Sequence, residues 1–161
     1  MKKIGIFYLF LFILSACQTE IKNDDVTIID DSIISIIDKS SKIEIIADSL
    51  IVSEGPLWDE NSKSLIFTDV AQNKMFTWNE KEGVQDFIKP SGYTGYSPAF
   101  EEGLNGANGI TFNKSGDIVI CQHGDRRVAL IANQKTNDPI FTTIIDNYEG
   151  KKFNSPNDLS I

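Results

Sequence analysis

The sequence predicts an all-β chain made of repeated four-stranded units, and two observations lead to that class. Three strand-like runs open alike, each with an oxygen-bearing side chain: Glu54-Gly55-Pro56-Leu57-Trp58, Asn108-Gly109-Ile110-Thr111-Phe112 and Asn157-Asp158-Leu159-Ser160-Ile161. Their first residues are 54 and 49 residues apart, close to the period of roughly 40 to 50 residues of β-propeller blades. We therefore expect about two blades of a β-propeller and the start of a third.

The N-terminal segment is a targeting signal by its layout. Lys2 and Lys3 precede an apolar run over residues 4–14, which is too short to span a bilayer and is typical of a secretory signal. The small residues before Cys17 resemble a bacterial lipobox, which implies a lipoprotein signal over residues 1–17 and lipidation of Cys17. That resemblance implies a cell-envelope protein, facing the periplasm or the exterior, that meets the membrane through its lipid anchor only. A single buried hydrophobic strand is the alternative.

The net charge and the cysteine content argue against some classes of partner and of cysteine chemistry. The net charge of −8 becomes −10 without residues 1–16, because 13 basic and 23 acidic side chains remain. Such an acidic chain argues against nucleic acid as a partner. Cys121 is the only cysteine after Cys17, so no intrachain disulfide is expected. Its apolar surroundings predict a small core residue rather than a nucleophile.

Residues 18–42 separate the signal from the repeats. They are polar with scattered isoleucine pairs, and we interpret them as a tether followed by a short helix. The apolar positions 33, 34, 36 and 37 fit an amphipathic helix about as well as a strand. Residues 42–47 alternate apolar and polar side chains and predict an outer strand. The partial propeller is expected over residues 43–161.

Turn residues divide that region into blades. Blade one is expected over residues 54–88, with strands at 55–58, 65–69, 74–78 and 84–87. Blade two is expected over residues 108–146, with strands at 109–112, 117–122, 127–132 and 141–145. The first strand of blade three is expected within residues 154–161. Neither blade buries both faces alone, so each needs a stacked neighbour.

The length of the chain bears on its completeness. Six blades would need on the order of 300 residues, whereas this chain has 161. We expect it to be an N-terminal fragment of a larger protein or a truncated gene product. A complete small all-β domain is the alternative.

The repeated opening residues are expected to converge. The first strand of a propeller blade lies innermost, so Glu54, Asn108 and Asn157 would come together near one mouth of the channel. One carboxylate and amide carbonyls suit a divalent cation, most of all Ca²⁺, with Mg²⁺, Mn²⁺ or Zn²⁺ as alternatives.

Four runs carry a resemblance to a known family: Glu54-Gly55-Pro56-Leu57-Trp58, Asn108-Gly109-Ile110, Cys121-Gln122-His123-Gly124-Asp125-Arg126-Arg127 and Gly150-Lys151-Lys152-Phe153-Asn154-Ser155-Pro156-Asn157-Asp158-Leu159. Their order and spacing resemble the gluconolactonase, regucalcin and senescence-marker family. The resemblance implies a six-bladed β-propeller with one divalent metal in its channel, and hydrolysis of sugar lactones or related esters.

The same resemblance implies roles for individual residues. Glu54 matches the metal-binding glutamate of the family, and Asn157 matches an asparagine that contacts the metal or the substrate. A further asparagine and the aspartate proposed as general base lie in later blades of the family, beyond Ile161, so the fragment alone should be inactive. The metal would act as a Lewis acid on the lactone carbonyl, and Asp158 could orient a ligand.

Other residues are candidates for the wall of the channel. Asn108 is expected to line it or to cap a turn. His123 follows the second strand of blade two, on the side of the mouth, which permits a substrate contact or acid–base catalysis; a surface turn is the alternative. Residues 89–106, with Tyr93 and Tyr96, form a long connection that we interpret as a lid selecting substrates, or as a plain surface loop.

Three functions remain open from the sequence. The first is a metal-dependent lactonase. The second is a non-catalytic propeller lipoprotein that binds a sugar or a protein, because a fold does not by itself confer activity. The third is a phosphotriesterase-type hydrolase on the same scaffold.

Overall fold

The computed structural model describes residues 28–38, 41–98, 103–132 and 139–161. The chain divides into two compact units, residues 1–45 and 46–161. The predicted lipoprotein signal with Cys17, and the tether as far as residue 27, lie outside the described residues. The described part of the first unit contains one 3₁₀ helix, Asp31–Ser35, whose N-cap Asp30 accepts a hydrogen bond from the Ser32 N–H at 2.8 Å. The expected short helix is thus a single 3₁₀ turn.

The described residues include no helix with the length and hydrophobicity that crossing a bilayer requires.

Blade one opens the second unit and is an antiparallel sheet in which sequence neighbours pair. Its strands are β1 (Ser53–Asp59), β2 (Ser64–Asp69), β3 (Lys74–Asn79) and β4 (Gly83–Ile88). Each lies within two residues of the strand expected from the sequence, because β-favouring side chains between turn residues mark strands clearly.

Blade two repeats this arrangement. Its strands are β5 (Ala107–Phe112), β6 (Ile118–Gln122), β7 (Arg127–Ala132) and β8 (Ile140–Ile145), again paired in sequence order. The inner strands β1 and β5 each contain a register shift in their first half, between Glu54 and Leu57 and between Ala107 and Ile110. Such bulges re-aim side chains and are common beside functional sites.

Two expected strands are wrong. Residues 42–47 and residues 157–161 form no strand, although their patterns allow one. A strand needs a series of partners for its backbone N–H and C=O groups; among the described residues, the second stretch has a single backbone bond to a blade, from the Gly109 N–H to the Asn157 carbonyl, which does not make a ladder. A two-residue hairpin, β9 (Asn147–Tyr148) with β10 (Lys151–Lys152), precedes the second stretch.

The core lies between the two blades. Ile66, Met75 and Ile88 of blade one pack in one buried cluster with residues of blade two, namely Ala107, Ile110, Ile118, Ile120, Ala129 and Ile131. Burying each isoleucine or methionine side chain contributes about 1.5–3 kcal/mol. The apolar face of blade one is therefore stabilised by its neighbour, as stacked blades require.

The register defines one end of both sheets, which we call the mouth end. Ser53 lies opposite Asp69 at the end of β2, and Ala107 lies opposite Gln122 at the end of β6. The next residues, Glu54 and Asn108, therefore occupy matching places in the two blades. The β2–β3 and β6–β7 turns lie at the same end. The two sheets are successive blades of a β-propeller.

Candidate functional site

Three of the predicted site residues lie around one cavity at the mouth end. This cavity of about 260 Å³ is lined by Glu54, Gly55, Pro56, Gly109, Ile110, Asn157 and Asp158. The side chains of Glu54, Asn157 and Asp158 belong to exposed residues, so the carboxylates remain hydrated. The structure thus brings together the openings of the first and third repeats. Asn108, His123, Tyr93 and Tyr96 do not line this cavity.

Repeated glycines allow this close approach. Gly109 donates its N–H to the Asn157 carbonyl at 2.8 Å, and a Cβ on Gly109 would lie 2.5 Å from Asp158 Oδ1 and 3.0 Å from Asn157 O. A Cβ on Gly55 would lie 2.6 Å from Asn108 O. Gly55 therefore leaves room for Asn108, and Gly109 leaves room for Asn157 and Asp158. The repetition of this glycine in the sequence was the signal for its role.

Asn108 is held on both its backbone and its side chain. Its carbonyl accepts a hydrogen bond from the Thr68 hydroxyl of blade one at 3.1 Å. Its side-chain Nδ2 lies 2.8 Å from His123 Nδ1. Asn108 is only 4% exposed, and burial lowers the pKa of the half-buried His123. The structure therefore pairs two of the residues predicted for the channel wall, Asn108 and His123.

The described part of the predicted lid is tied to the blades. Asn73 Oδ1 accepts hydrogen bonds from the N–H groups of Ser91, Gly92 and Tyr93 at 2.8–3.1 Å, and Asn73 Nδ2 donates to Tyr93 O at 2.9 Å. Tyr93 also packs closely on Gly124, beside His123. These contacts make this stretch a fixed wall of the mouth end.

Asp125 fastens the same stretch to blade two. Its carboxylate is fully buried and accepts hydrogen bonds from the Thr94 and Tyr96 N–H groups at 3.1 Å and from the Thr94 hydroxyl. Arg127 Nη2 lies 3.4 Å from the same carboxylate, and the Asp125 carbonyl accepts from the Ser97 hydroxyl at 2.6 Å. Charge-assisted bonds such as these are the stronger ones.

Tyr96 lies against cations at the outer part of blade two. Its ring contacts the Arg127 guanidinium at 3.9 Å and the Lys152 ammonium at 4.6 Å. Its hydroxyl donates to Asp146 at 2.8 Å. Hydrogen bonds from Asn147, Tyr96 and Lys152 lower the pKa of Asp146 to about 2. Tyr96 thus links the loop to the hairpin that follows β8.

Sequence reasoning missed the polar residues that support the site. Thr68, Asn73 and Asp125 are bound across long sequence separations. Thr68 falls within a predicted strand and Asp125 within a run that carries the family resemblance, and the sequence predicts a supporting role for neither. No local pattern distinguishes such buried polar residues from solvated ones, so only the tertiary register reveals them.

Cys121 matches the prediction of an inert core residue. Cys121 is fully buried and is the one free cysteine among the described residues. Burial, with a smaller contribution from the negative charge of Asp158, raises the pKa of its thiol to about 12. A nucleophilic thiolate is therefore not formed near neutral pH.

The donor atoms around the cavity suit a hard cation. Glu54 and Asp158 offer carboxylate oxygens and Asn157 offers an amide oxygen, the ligand type that Ca²⁺ and Mg²⁺ prefer. No group of three or more His, Cys, Asp or Glu side chains is placed to hold a metal within the described ranges. The described residues therefore fit part of an oxygen site rather than a thiolate or imidazole site.

A second cavity, of about 670 Å³, lies at the opposite end of blade one. Its lining includes Trp58 and Trp78. None of the predicted site residues contributes to it.

Comparison with known proteins places these features in a family. A model of the "SMP-30/Gluconolactonase/LRE-like region" matches residues 52–161. A curated gluconolactonase of Zymomonas mobilis subsp. mobilis is 38% identical over 128 residues, which cover 78% of this chain and 34% of that protein.

Solved structures agree with this assignment. A protein provisionally assigned as a gluconolactonase superimposes with a TM-score of 0.57 at 31% identity, covering 72% of this chain and 34% of its own. A Xanthomonas campestris gluconolactonase gives a TM-score of 0.55 at 24% identity, covering 70% and 32%, which supports the fold. The chain thus spans about a third of the length of these relatives. It belongs to the SMP-30/gluconolactonase/LRE-like family.

Proposed function

We propose that the complete protein, meaning the product of the whole gene including any residues after Ile161, hydrolyses a sugar lactone, and that residues 1–161 alone are inactive. The observation that carries this proposal is the cavity where Glu54, Asn157 and Asp158 meet in a chain of the gluconolactonase family. The curated relative named a gluconolactonase supports the reaction class.

In this mechanism, the residues of this chain would bind the cation and orient the lactone. Glu54 and Asn157 would hold one divalent cation, Ca²⁺ in the first instance, with Mg²⁺, Mn²⁺ and Zn²⁺ as alternatives. When bound, the cation would polarise the carbonyl of the lactone. The amide oxygen of Asn157 adds no negative charge to the site, and the Gly109 N–H fixes the Asn157 backbone at 2.8 Å. The fixed loop carrying Tyr93, which lies outside that cavity, would bound the mouth end on the side of blade two.

The decisive experiment compares two glutamates. The complete protein without residues 1–17 would be assayed for acid release from δ-gluconolactone and other aldonolactones, with and without a chelator. Glu54→Gln is expected to lower kcat/KM by about 100-fold or more, the scale of losing an electrostatic contribution to the transition state. Glu80→Gln, the same change at the opposite end of blade one, is the matched control and should stay near wild type.

Two results would refute the proposal. One is the absence of any lactone hydrolysis by the metal-loaded complete protein. The other is equal activity of Glu54→Gln and wild type. Calorimetric titration of both proteins with Ca²⁺ would separate loss of cation binding from loss of the reaction.

The cellular location is part of the proposal. Residues 1–17 support export and lipidation at Cys17, so the protein would be anchored in the bacterial envelope. Cys17→Ser is expected to move it from the membrane fraction to the soluble fraction or to leave an unprocessed precursor. An unchanged membrane fraction and processed size would contradict the anchor.

A further inference from the structure

Asn108 has one degree of freedom left in the structure, the orientation of its side-chain amide. Its backbone is fixed by the Thr68 hydroxyl at 3.1 Å and by close contact with Gly55. The residue is 4% exposed. What a ligand meets at this position therefore depends on whether the oxygen or the NH₂ group faces the channel, two arrangements with opposite hydrogen-bonding character.

His123 decides between these arrangements. Its Nδ1 lies 2.8 Å from Asn108 Nδ2. An amide NH₂ only donates hydrogen bonds, so in this arrangement Nδ1 is the acceptor and the ring proton lies on Nε2, whereas the tautomer with its proton on Nδ1 would bind the amide oxygen instead. Burial lowers the pKa of His123, which favours a neutral ring that can accept.

The hydrogen bond with His123 leaves one branch of the amide for other contacts. His123 comes directly after β6, the strand that pairs with β5. Because Nδ2 is the branch bound on that side, Oδ1 is the branch that this hydrogen bond leaves available to a ligand.

The turn that carries His123 is rigid enough for this task. The Asp125 N–H donates to Gly92 O at 2.9 Å, and the Arg126 N–H donates to His123 O at 3.3 Å. Gly124 is packed against Tyr93 and Asn105, with no room for a side chain. The imidazole thus stands on a turn fixed on two sides.

We propose that His123 is a positioning residue, which accepts a hydrogen bond from Asn108 and thereby turns the Asn108 carbonyl oxygen toward the ligand. The channel wall of blade two then offers an acceptor, which suits the hydroxyl groups of a polyhydroxylated lactone. This role rests on the proposed lactonase function, but the hydrogen bond itself does not. It differs from acid–base catalysis because His123 acts through Asn108.

The kinetic test uses the complete protein and four variants. His123→Leu, which removes the acceptor, is expected to raise KM about tenfold with a smaller change in kcat, the cost of roughly one hydrogen bond. His123→Asn places an acceptor oxygen near the position of Nδ1 and should restore KM to within about threefold of wild type. The double variant Asn108→Ala/His123→Leu should be no worse than Asn108→Ala, because the two residues act as one unit.

Three results would overturn the positioning role. A fall in kcat with unchanged KM, not rescued by His123→Asn, would indicate acid–base catalysis. Additive losses in the double variant would show that His123 acts independently of Asn108. A lower Tm with unchanged kinetic constants would show a structural residue only.

A nuclear magnetic resonance experiment does not depend on activity. Long-range ¹H–¹⁵N spectra of the complete labelled protein should show an unprotonated Nδ1 and a protonated Nε2 for His123, identified by the loss of its signals in His123→Asn. The Nδ1 resonance should shift in Asn108→Ala. A protonated Nδ1 would refute the proposal even if the enzyme is an active lactonase, whereas an inactive protein with the expected tautomer would refute the proposed function alone.

Discussion

In each of the two blades, the last residue of the second strand binds the segment that precedes the first strand. The two blades use different side chains for this contact. In blade one the Asp69 carboxylate accepts from the Ile51 N–H at 2.8 Å, just before β1. In blade two the matching residue, Gln122, donates from Nε2 to Ser91 O at 2.8 Å, in the segment before β5. The two blades therefore share the position of this contact but not its residue. The side chain accepts the hydrogen bond in blade one and donates it in blade two.

A second pair of positions behaves in the same way. Asn73 and Arg126 occupy matching turns, and both have positive φ angles of 52° and 58°. Asn73 holds the stretch that leads to blade two, through the Tyr93 carbonyl. Arg126 donates from Nε to Phe153 O at 2.6 Å, in the stretch that leads to the third repeat. Each blade thus fixes the chain that enters the next one.

The largest expected loss of stability comes from replacing the glycines that allow successive repeats to pack closely. Gly55→Ala should lower the free energy of unfolding of the complete protein by about 3–4 kcal/mol, because a Cβ meets a backbone oxygen at a positive φ. Gly109→Ala should cost about 1–2 kcal/mol, since the Asp158 side chain can move aside while backbone atoms at 3.0 Å remain crowded. Chemical denaturation measures both.

Gly83→Ala is the matched control for the backbone contribution. Gly83 has a φ of 66° with open space around it, so the variant should cost only about 1 kcal/mol. Equal losses in Gly55→Ala and Gly83→Ala would show that close packing of the inner strands is not what requires glycine.

The next effect tests the carboxylate that anchors blade one. Burial raises the pKa of Asp69, but hydrogen bonds from Ile51, Gln72 and Val52 outweigh it, and the net pKa is lowered. Asp69→Asn turns an NH₂ group toward these donors, so a loss of about 2–3 kcal/mol in the free energy of unfolding is expected. Asp86→Asn is the control, since this exposed partner of Lys74 contributes about 0–1 kcal/mol.

A loss in Asp69→Asn no greater than that in Asp86→Asn would contradict the role of Asp69 as an anchor. The comparison with blade two predicts that Gln122→Glu also destabilises, because one carboxylate oxygen would face the Ser91 carbonyl while the other replaces an amide oxygen that already accepts from Arg127 Nε.

The strands of the blades were predictable from sequence, whereas the supports of the site were not. Alternation and turn residues marked all eight blade strands, but the same alternation over residues 42–47 produced no strand, because pairing depends on a partner elsewhere. The repeat predicted that Glu54 and Asn157 approach each other. It could not predict that His123 binds Asn108 or that Asp125 binds Thr94, since those contacts depend on how turns fold over one another.

A smaller effect concerns the bond between the blades at Asn108. Thr68→Val keeps the shape of the side chain and removes the hydroxyl that Asn108 O accepts from. Because both groups are buried, about 1–2 kcal/mol of unfolding free energy should be lost. Thr68→Ser retains the hydroxyl and should recover part of this loss. If Thr68→Val is as stable as wild type, the hydrogen bond does not hold the blades in register.

The smallest expected effect is on stability at low pH, and it depends on Asp146 at the outer part of blade two. Asp146 has a folded-state pKa of about 2, below its ordinary value of 3.8. Its hydrogen bonds with Asn147, Tyr96 and Lys152 therefore stabilise the fold above a pH of about 4, and this contribution is lost as the pH falls toward 2.

In Asp146→Asn, Tm should be lower than in wild type at pH 6, and the difference should shrink as the pH falls. Tyr96→Phe removes one of these bonds, at 2.8 Å, and should give an intermediate curve. Parallel curves of Tm against pH for wild type and Asp146→Asn would mean that this carboxylate does not contribute to the acid sensitivity of blade two.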